Sequence, residues 1–156
     1  MRKRRNAPIL RAPRPAPGPK EPTMDLTLQE THQMIQETAK SFADKELLPA
    51  AHRIDKEGKF PADKVAKMAA MGLLGMAVPE AYGGAGLDTL AYAIAMEEIS
   101  RGCASCGVIM SAHNSLVGDP IKFFGNAEQK KRFLPPLAAG RRIGCFALSE
   151  PGSGSD

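Results

Sequence analysis

From Leu28 onward the apolar positions recur at helical spacing. Leu28, Ile35, Ala39 and Phe42 form one stripe that reaches about Leu47, where Pro49 is expected to stop the helix. Thr27-Leu28-Gln29-Glu30 has the form of a capping box, with the Thr27 hydroxyl accepting the third helical amide and Glu30 reaching back to the cap amide. A short helix is expected from Pro61, burying Val65, Met68 and Ala69, with Gly72 as its left-handed cap. Gly75 to Asp88 contains Pro79, Gly83, Gly84 and Gly86 and reads as a turn-rich loop. Asp88 or Thr89 caps a third helix, Leu90 to about Ser100. Cys103 to Leu116 is small and apolar nearly all round, which predicts a helix enclosed by its neighbours. Pro120 begins another, carrying Ile121, Phe123 and Phe124 and closed by Gly125. Asn126 with Gln129 is a second capping-box pattern, and Pro135-Pro136 is expected to end that helix after Leu134.

No strand pattern precedes residue 141. Ile143 to Leu148 then reads as a first β-strand, followed by the polar run Ser149 to Asp156. A strand needs partners, so the chain is expected to stop at the onset of a second domain. The fold class is therefore an all-α N-terminal helical bundle over 24–140, then the first strand of a truncated β-domain over 141–156, preceded by a tail over 1–23.

Composition changes this picture only at the tail. The 156 residues are 43% hydrophobic and 24% charged, neither a disordered nor a collagen-like balance. The longest stretch without an acidic or basic residue, Gly102 to Gly118, contains Ser105, Ser111, Ser115, His113 and Asn114; it is too polar to cross a bilayer, so no membrane insertion is expected. The formal net charge of +4 is unevenly spread, because residues 1–20 carry seven basic side chains and no acidic one. The remainder is mildly acidic, which argues against a nucleic-acid-binding body. The tail also holds Pro8, Pro13, Pro15, Pro17, Pro19 and Pro22, a composition for extended chain. A mitochondrial presequence, a solvated extension ahead of a start at Met24, and a nucleic-acid-binding arm are the three readings. The absence of serine and the excess of proline count against the first, and the third has the least support.

Candidate chemistry is sparse. Cys103-Ala-Ser-Cys106 has redox-motif spacing but follows a helix where such motifs follow a strand, and with His113 it offers three soft ligands where structural zinc takes four. Small residues between helices is the simpler reading. His32 and His52 fall on polar helical stretches and are expected on solvated faces, while His113 fits a hydrogen-bonded core histidine. Glu97 and Glu98 lack a nearby His or Lys and read as a helix rim. There is no metal motif, no Walker-type loop and no G-x-G-x-x-G pattern. The Ser149 to Asp156 run stands apart: glycines let backbone amides approach an anion, and serine hydroxyls donate to phosphate or ring atoms, although a plain surface turn has the same composition.

Phe146-Ala-Leu-Ser-Glu-Pro-Gly-Ser-Gly-Ser-Asp156 resembles the flavin-binding signature of the acyl-CoA dehydrogenase family. Val78-Pro-Glu-Ala-Tyr-Gly-Gly-Ala-Gly-Leu-Asp88 is similar to the family's loop after its second long helix. The segments Leu90 to Ser105 and Gly144 to Leu148 are similar to the family's short-chain (butyryl-CoA) branch. The likeness runs in order from about Asp25 to Asp156 and leaves out the tail. It implies a helical N-terminal domain, a small β-domain and a C-terminal bundle, assembled as a homotetramer that binds FAD. It further implies that short-chain acyl-CoA is converted to trans-2-enoyl-CoA in the β-oxidation of the mitochondrial matrix. A carboxylate removes the α-proton, the β-hydride passes to the flavin, and electrons leave to electron-transferring flavoprotein. On the matching positions, Phe146 and Leu148 line the isoalloxazine, Ser149 hydrogen-bonds near N5, and Gly154 and Ser155 meet the pyrophosphate, with Ser155 also near the acyl-CoA. Ser153 occupies a position that varies in the family, and Cys106 stands where the short-chain branch commonly has a hydroxyl. The catalytic base is expected beyond Asp156, so no residue here inherits that role and the isolated chain is expected to be inactive. The alternatives are the short/branched-chain branch, a non-catalytic helical interaction fragment, and a basic-tailed nucleic-acid binder.

Overall fold

The computed structural model describes residues 27–154; the tail, the start at Met24 and Ser155 lie outside them. The first apolar stripe becomes a rod longer than the sequence implies. Helix α1 (Glu30–Phe42) runs through a π-helical turn, Ala43–Leu47, into α2 (Leu48–Glu57). Pro49 does not stop it. It lies in the first turn of α2, just after the π-helical turn has interrupted the regular ladder, where a missing N–H and a fixed φ are tolerated. The cap position falls at Gln29 rather than at Thr27, and the Gln29 side chain makes no cap hydrogen bond. Gly58 ends the rod with φ +60°.

Helix α3 (Ala62–Ala70) follows, with Pro61 at the cap position rather than inside the helix, and Gly72 adopts φ +77° as its spacing predicts. The loop to Asp88 contains one 3-10 turn, Glu80–Tyr82. It folds back on itself through Leu87 N–H to Met76 O (2.8 Å) and Gly86 N–H to Val78 O (2.9 Å). Asp88 caps α4 (Thr89–Gly102) by accepting from Ala91 N–H at 2.8 Å. Helix α5 (Ala104–Ser111), a π-helical segment (Ala112–Gly118) and α6 (Asp119–Phe124) continue in one line.

Helix α7 (Ala127–Ala138) opens on the complete Asn126–Gln129 capping box and contains both Pro135 and Pro136, passing the point where the sequence predicts its end. The carbonyls these prolines leave without helical donors belong to Lys131 and Arg132, both exposed residues. Burial of Leu134, Leu137 and Ala138 holds the last turn in place. The expected enclosure of Cys103 to Leu116 holds on one side only: Cys106, Met110 and His113 are buried, whereas Val108 and Leu116 face outward at 68% and 47% exposure.

The core lies where α1 and its π-helical turn meet α4 and α5, with Leu47, Met68, Leu74, Ile99 and Met110 almost wholly removed from solvent. At the end of α4 a β-carbon on Gly102 would sit 2.9 Å from Ala43 Cβ and 3.0 Å from Leu47 Cβ, so the absence of a side chain sets how closely these helices approach.

Polar ties cross this core. His32 is buried, not on a solvated face, because its Nε2 meets Asp88 Oδ2 at 3.0 Å and links α1 to the cap of α4. The Ala91 amide and then His32 hold the Asp88 carboxyl below the ordinary carboxylate range. Glu46 pairs with Lys67 (2.7 Å) and Lys64 (2.9 Å), tying the π-helical turn to α3. In the second π-helical segment, Asn114 donates to Leu73 O and Met110 O, both at 3.0 Å. His113, 1% exposed, has Nε2 3.2 Å from Leu137 O, so the hydrogen-bonded core histidine that the sequence implies is present.

Two measurements probe this packing. Ile99→Ala removes a fully buried side chain from the α1–α4 seam and is expected to lower unfolding stability by about 3 kcal/mol in urea titration. Burial holds the His113 imidazole below its usual pKa, so the folded state keeps it neutral after the unfolded chain has taken up a proton. Stability from this group is complete above about pH 6.5 and is lost as pH falls below that value toward the lowered folded pKa. The urea midpoint is expected to drop as pH falls below about 6.5, and His113→Gln to flatten that drop.

Candidate functional site

The residues singled out for flavin contact lie on one arm that leaves the end of α7. Gly140, at φ +65°, donates to Leu137 O at 2.8 Å, and Arg142 N–H donates to Pro136 O at 3.1 Å, so the chain reverses tightly over the helix end. The arm then touches the second π-helical segment at Gly144. Its N–H donates to His113 Nδ1 at 3.0 Å. A β-carbon here would lie 2.8 Å from Val117 Cβ, so only glycine permits this approach.

Beyond Gly144 the arm is open. Phe146 and Leu148 are 53% and 71% exposed, and Ser149 is exposed beside them. The expected strand from Ile143 to Leu148 carries no β-ladder among the described residues, since none of their backbone lies alongside to pair with it. Glu150 and Ser153 instead exchange backbone hydrogen bonds of 2.9 and 3.0 Å in an isolated antiparallel bridge. No atom lies within 4 Å of where a β-carbon on Gly152 or Gly154 would be, leaving that backbone unobstructed.

Phe146, Leu148, Ser149 and Gly154 therefore share one solvent-facing segment with an apolar part and a polar, glycine-rich part. A flat apolar ring system carrying a phosphate tail fits this division: side-chain surface meets the ring, and hydroxyls with unobstructed amides meet polar edges and anionic oxygens. The described portion of the arm thus suits FAD, which the likeness implies. Ser155 lies outside the described residues.

The other candidates do not join this arm. Cys103 and Cys106 are buried free thiols, and burial followed by the neighbouring Cys103 pushes the Cys106 thiol up to about 12, far from a reactive thiolate. Among the described residues no three His, Cys, Asp or Glu side chains gather to hold a metal ion. Glu97 is exposed, while Glu98 accepts from Arg101 at 2.8 Å, and Arg101 also reaches Asp44 at 2.7 Å, as suits a helix rim. His52 is exposed as expected. The contact that the sequence does not reveal is His113 with Gly144. The two stand 31 positions apart, and no spacing rule joins a helical imidazole to a later loop amide.

The family model described as the acyl-CoA dehydrogenase N-terminal domain matches residues 29–141. A human short-chain specific acyl-CoA dehydrogenase, described as mitochondrial, is 63% identical over 131 residues, covering 84% of this chain and 32% of that protein. A solved chain described under the electron transferring flavoprotein of Acidaminococcus fermentans superposes with a TM-score of 0.81 at 42% identity, covering 85% of this chain and 35% of that one. An acyl-CoA dehydrogenase from Bacillus anthracis, solved in complex with FAD, gives 0.74 at 38% identity, with 83% and 22% covered. This chain spans about a third of the length of the curated relative. The helical order, the arm beyond α7 and these likenesses agree: the chain belongs to the acyl-CoA dehydrogenase family.

Proposed function

We propose that this chain supplies the N-terminal helical domain, over 24–140, and the first flavin-contacting segment, over 141–156, of an FAD-dependent short-chain acyl-CoA dehydrogenase. Residues 1–23 are a targeting tail in this reading, and the enzyme works in the mitochondrial matrix as a homotetramer that passes electrons to electron-transferring flavoprotein. The carrying observation is the arm itself. Phe146 and Leu148 are held outward at the end of the bundle with hydroxyl and open glycine backbone directly after them. The human short-chain relative supports the choice of branch, and the FAD-bound Bacillus anthracis structure supports the cofactor.

FAD, when bound, supplies the acceptor for the β-hydride of the acyl thioester. The chain's part is placement. Phe146 and Leu148 offer the apolar surface for the ring, and Ser149 donates near its reactive edge. Gly154 and Ser155 meet the pyrophosphate, with Ser155 also beside the acyl-CoA. No described carboxylate is assigned the base, since Glu97 is on the outer rim and Glu98 is committed to Arg101.

The test is a chimera in which residues 24–156 replace the matching segment of the human relative. It is expected to stay yellow through gel filtration and to reduce an electron-transfer dye with butyryl-CoA; a folded tetramer free of flavin overturns the reading. Phe146→Ala in that chimera is expected to weaken FAD binding about tenfold, the scale of one lost aromatic contact. The 156-residue chain by itself is expected to give no turnover.

A further inference from the structure

The imidazole of His113 makes two hydrogen bonds to backbone groups that differ in kind, while the Leu74 backbone stands close enough to favour its protonated form. Nε2 lies 3.2 Å from the Leu137 carbonyl, and Nδ1 lies 3.0 Å from the Gly144 amide nitrogen. A carbonyl only accepts and an amide N–H only donates, so one protonation form satisfies both: the neutral ring with its proton on Nε2. The alternative neutral tautomer sets lone pair against lone pair at Leu137 and proton against proton at Gly144. The cation keeps the Leu137 bond and loses the Gly144 one.

The same two contacts enclose the reversal between α7 and the arm. Leu137 is in the last turn of α7, and its carbonyl also accepts from Gly140. Gly144 is where the arm meets Val117, at a distance only glycine allows. One side chain, itself 1% exposed, thus bridges both ends of a six-residue turn and fixes where Cys145 and Phe146 begin.

We propose that His113, in its neutral Nε2–H form, is the positioning residue for the arm, setting the register of residues 144–149 against the helical domain. Its consequence for flavin contact rests on the proposed function, but the tether does not. It acts through the Gly144 amide, not through any contact with a cofactor.

The experiment therefore uses no flavin. In the 15N-labelled 156-residue chain, the His113 ring shifts report the tautomer, a through-hydrogen-bond coupling connects Gly144 N–H to Nδ1, and amide exchange reports how often that bond opens. Two substitutions separate positioning from filling space. In His113→Asn the amide oxygen takes the Nδ1 position and still accepts from Gly144. In His113→Gln the amide nitrogen takes the Nε2 position, keeping the Leu137 bond and more of the volume while removing the acceptor.

The expected result is an Nε2–H ring with the coupling present. Gly144 exchange should quicken about fivefold or more in His113→Gln, the scale of one lost hydrogen bond, and stay within about twofold of wild type in His113→Asn. Ala91, whose amide is held by Asp88, serves as the reference for general loosening. The proposal is overturned by the Nδ1–H tautomer, by an absent coupling, or by Gly144 exchange that follows side-chain volume, with Gln protected and Asn not. A flavin-free chimera alongside an intact tether would remove the flavin reading and leave the tether standing.

Discussion

Two buried polar neighbours on one helical segment impose the strictest condition on this structure. His113 and Asn114 are neighbours in sequence and both are buried. A polar group removed from water must find partners or destabilise the fold by the full loss of hydration. Asn114 meets this demand by donating to Leu73, in the turn after α3, and to Met110 one turn back. His113 meets it at Leu137 and Gly144. Between them the two side chains join the turn after α3, the end of α7 and the start of the arm. None of those segments adopts its place by helix propensity alone.

Backbone irregularity is what lets the pair exist. Both polar residues lie in the π-helical segment Ala112–Gly118, where the ladder is interrupted and carbonyl and side-chain directions are reset. The π-helical turn at Ala43–Leu47 serves packing instead. It carries the rod past Pro49 while keeping Ala43 and Leu47 against Gly102 of α4. Glu46 in the same turn then gathers Lys64 and Lys67, and their hydrogen bonds hold its carboxyl down at about 2. Glu46 and Lys67 are substantially solvated, so this cluster orients α3 more than it stabilises the fold.

Much of the helical domain was legible because its signals are local. Asp88 three residues before the Ala91 amide, Asn126 facing Gln129, and Gly72 after the α3 stripe are each complete within a few residues, and each forms as its spacing predicts. Both failures at proline have one cause. The sequence shows the missing N–H but not whether the orphaned carbonyl is reached by water or whether the next turn is anchored. At Pro135 and Pro136 the exposed setting of Lys131 and Arg132 and the buried Leu137 and Ala138 decide for continuation. The burial of His32 is hidden from the sequence for the related reason that its partner, Asp88, is 56 positions away. The flavin-contacting residues were legible only through likeness to a family, because a run of Gly and Ser has no period from which a ligand can be inferred.

The apolar stripes and the caps at Asp88 and Asn126 can be read from the sequence alone, since each depends on side chains within one or two turns of one another. Which helices continue through proline, which histidines are buried and how the arm is held are settled by packing. These depend on pairs such as His32 with Asp88 and His113 with Gly144, which are remote along the chain and are brought together by the packing of α1, α4 and α7. Propensity and periodicity act over a few residues; a buried hydrogen bond is set by whatever surface the folded core presents to it.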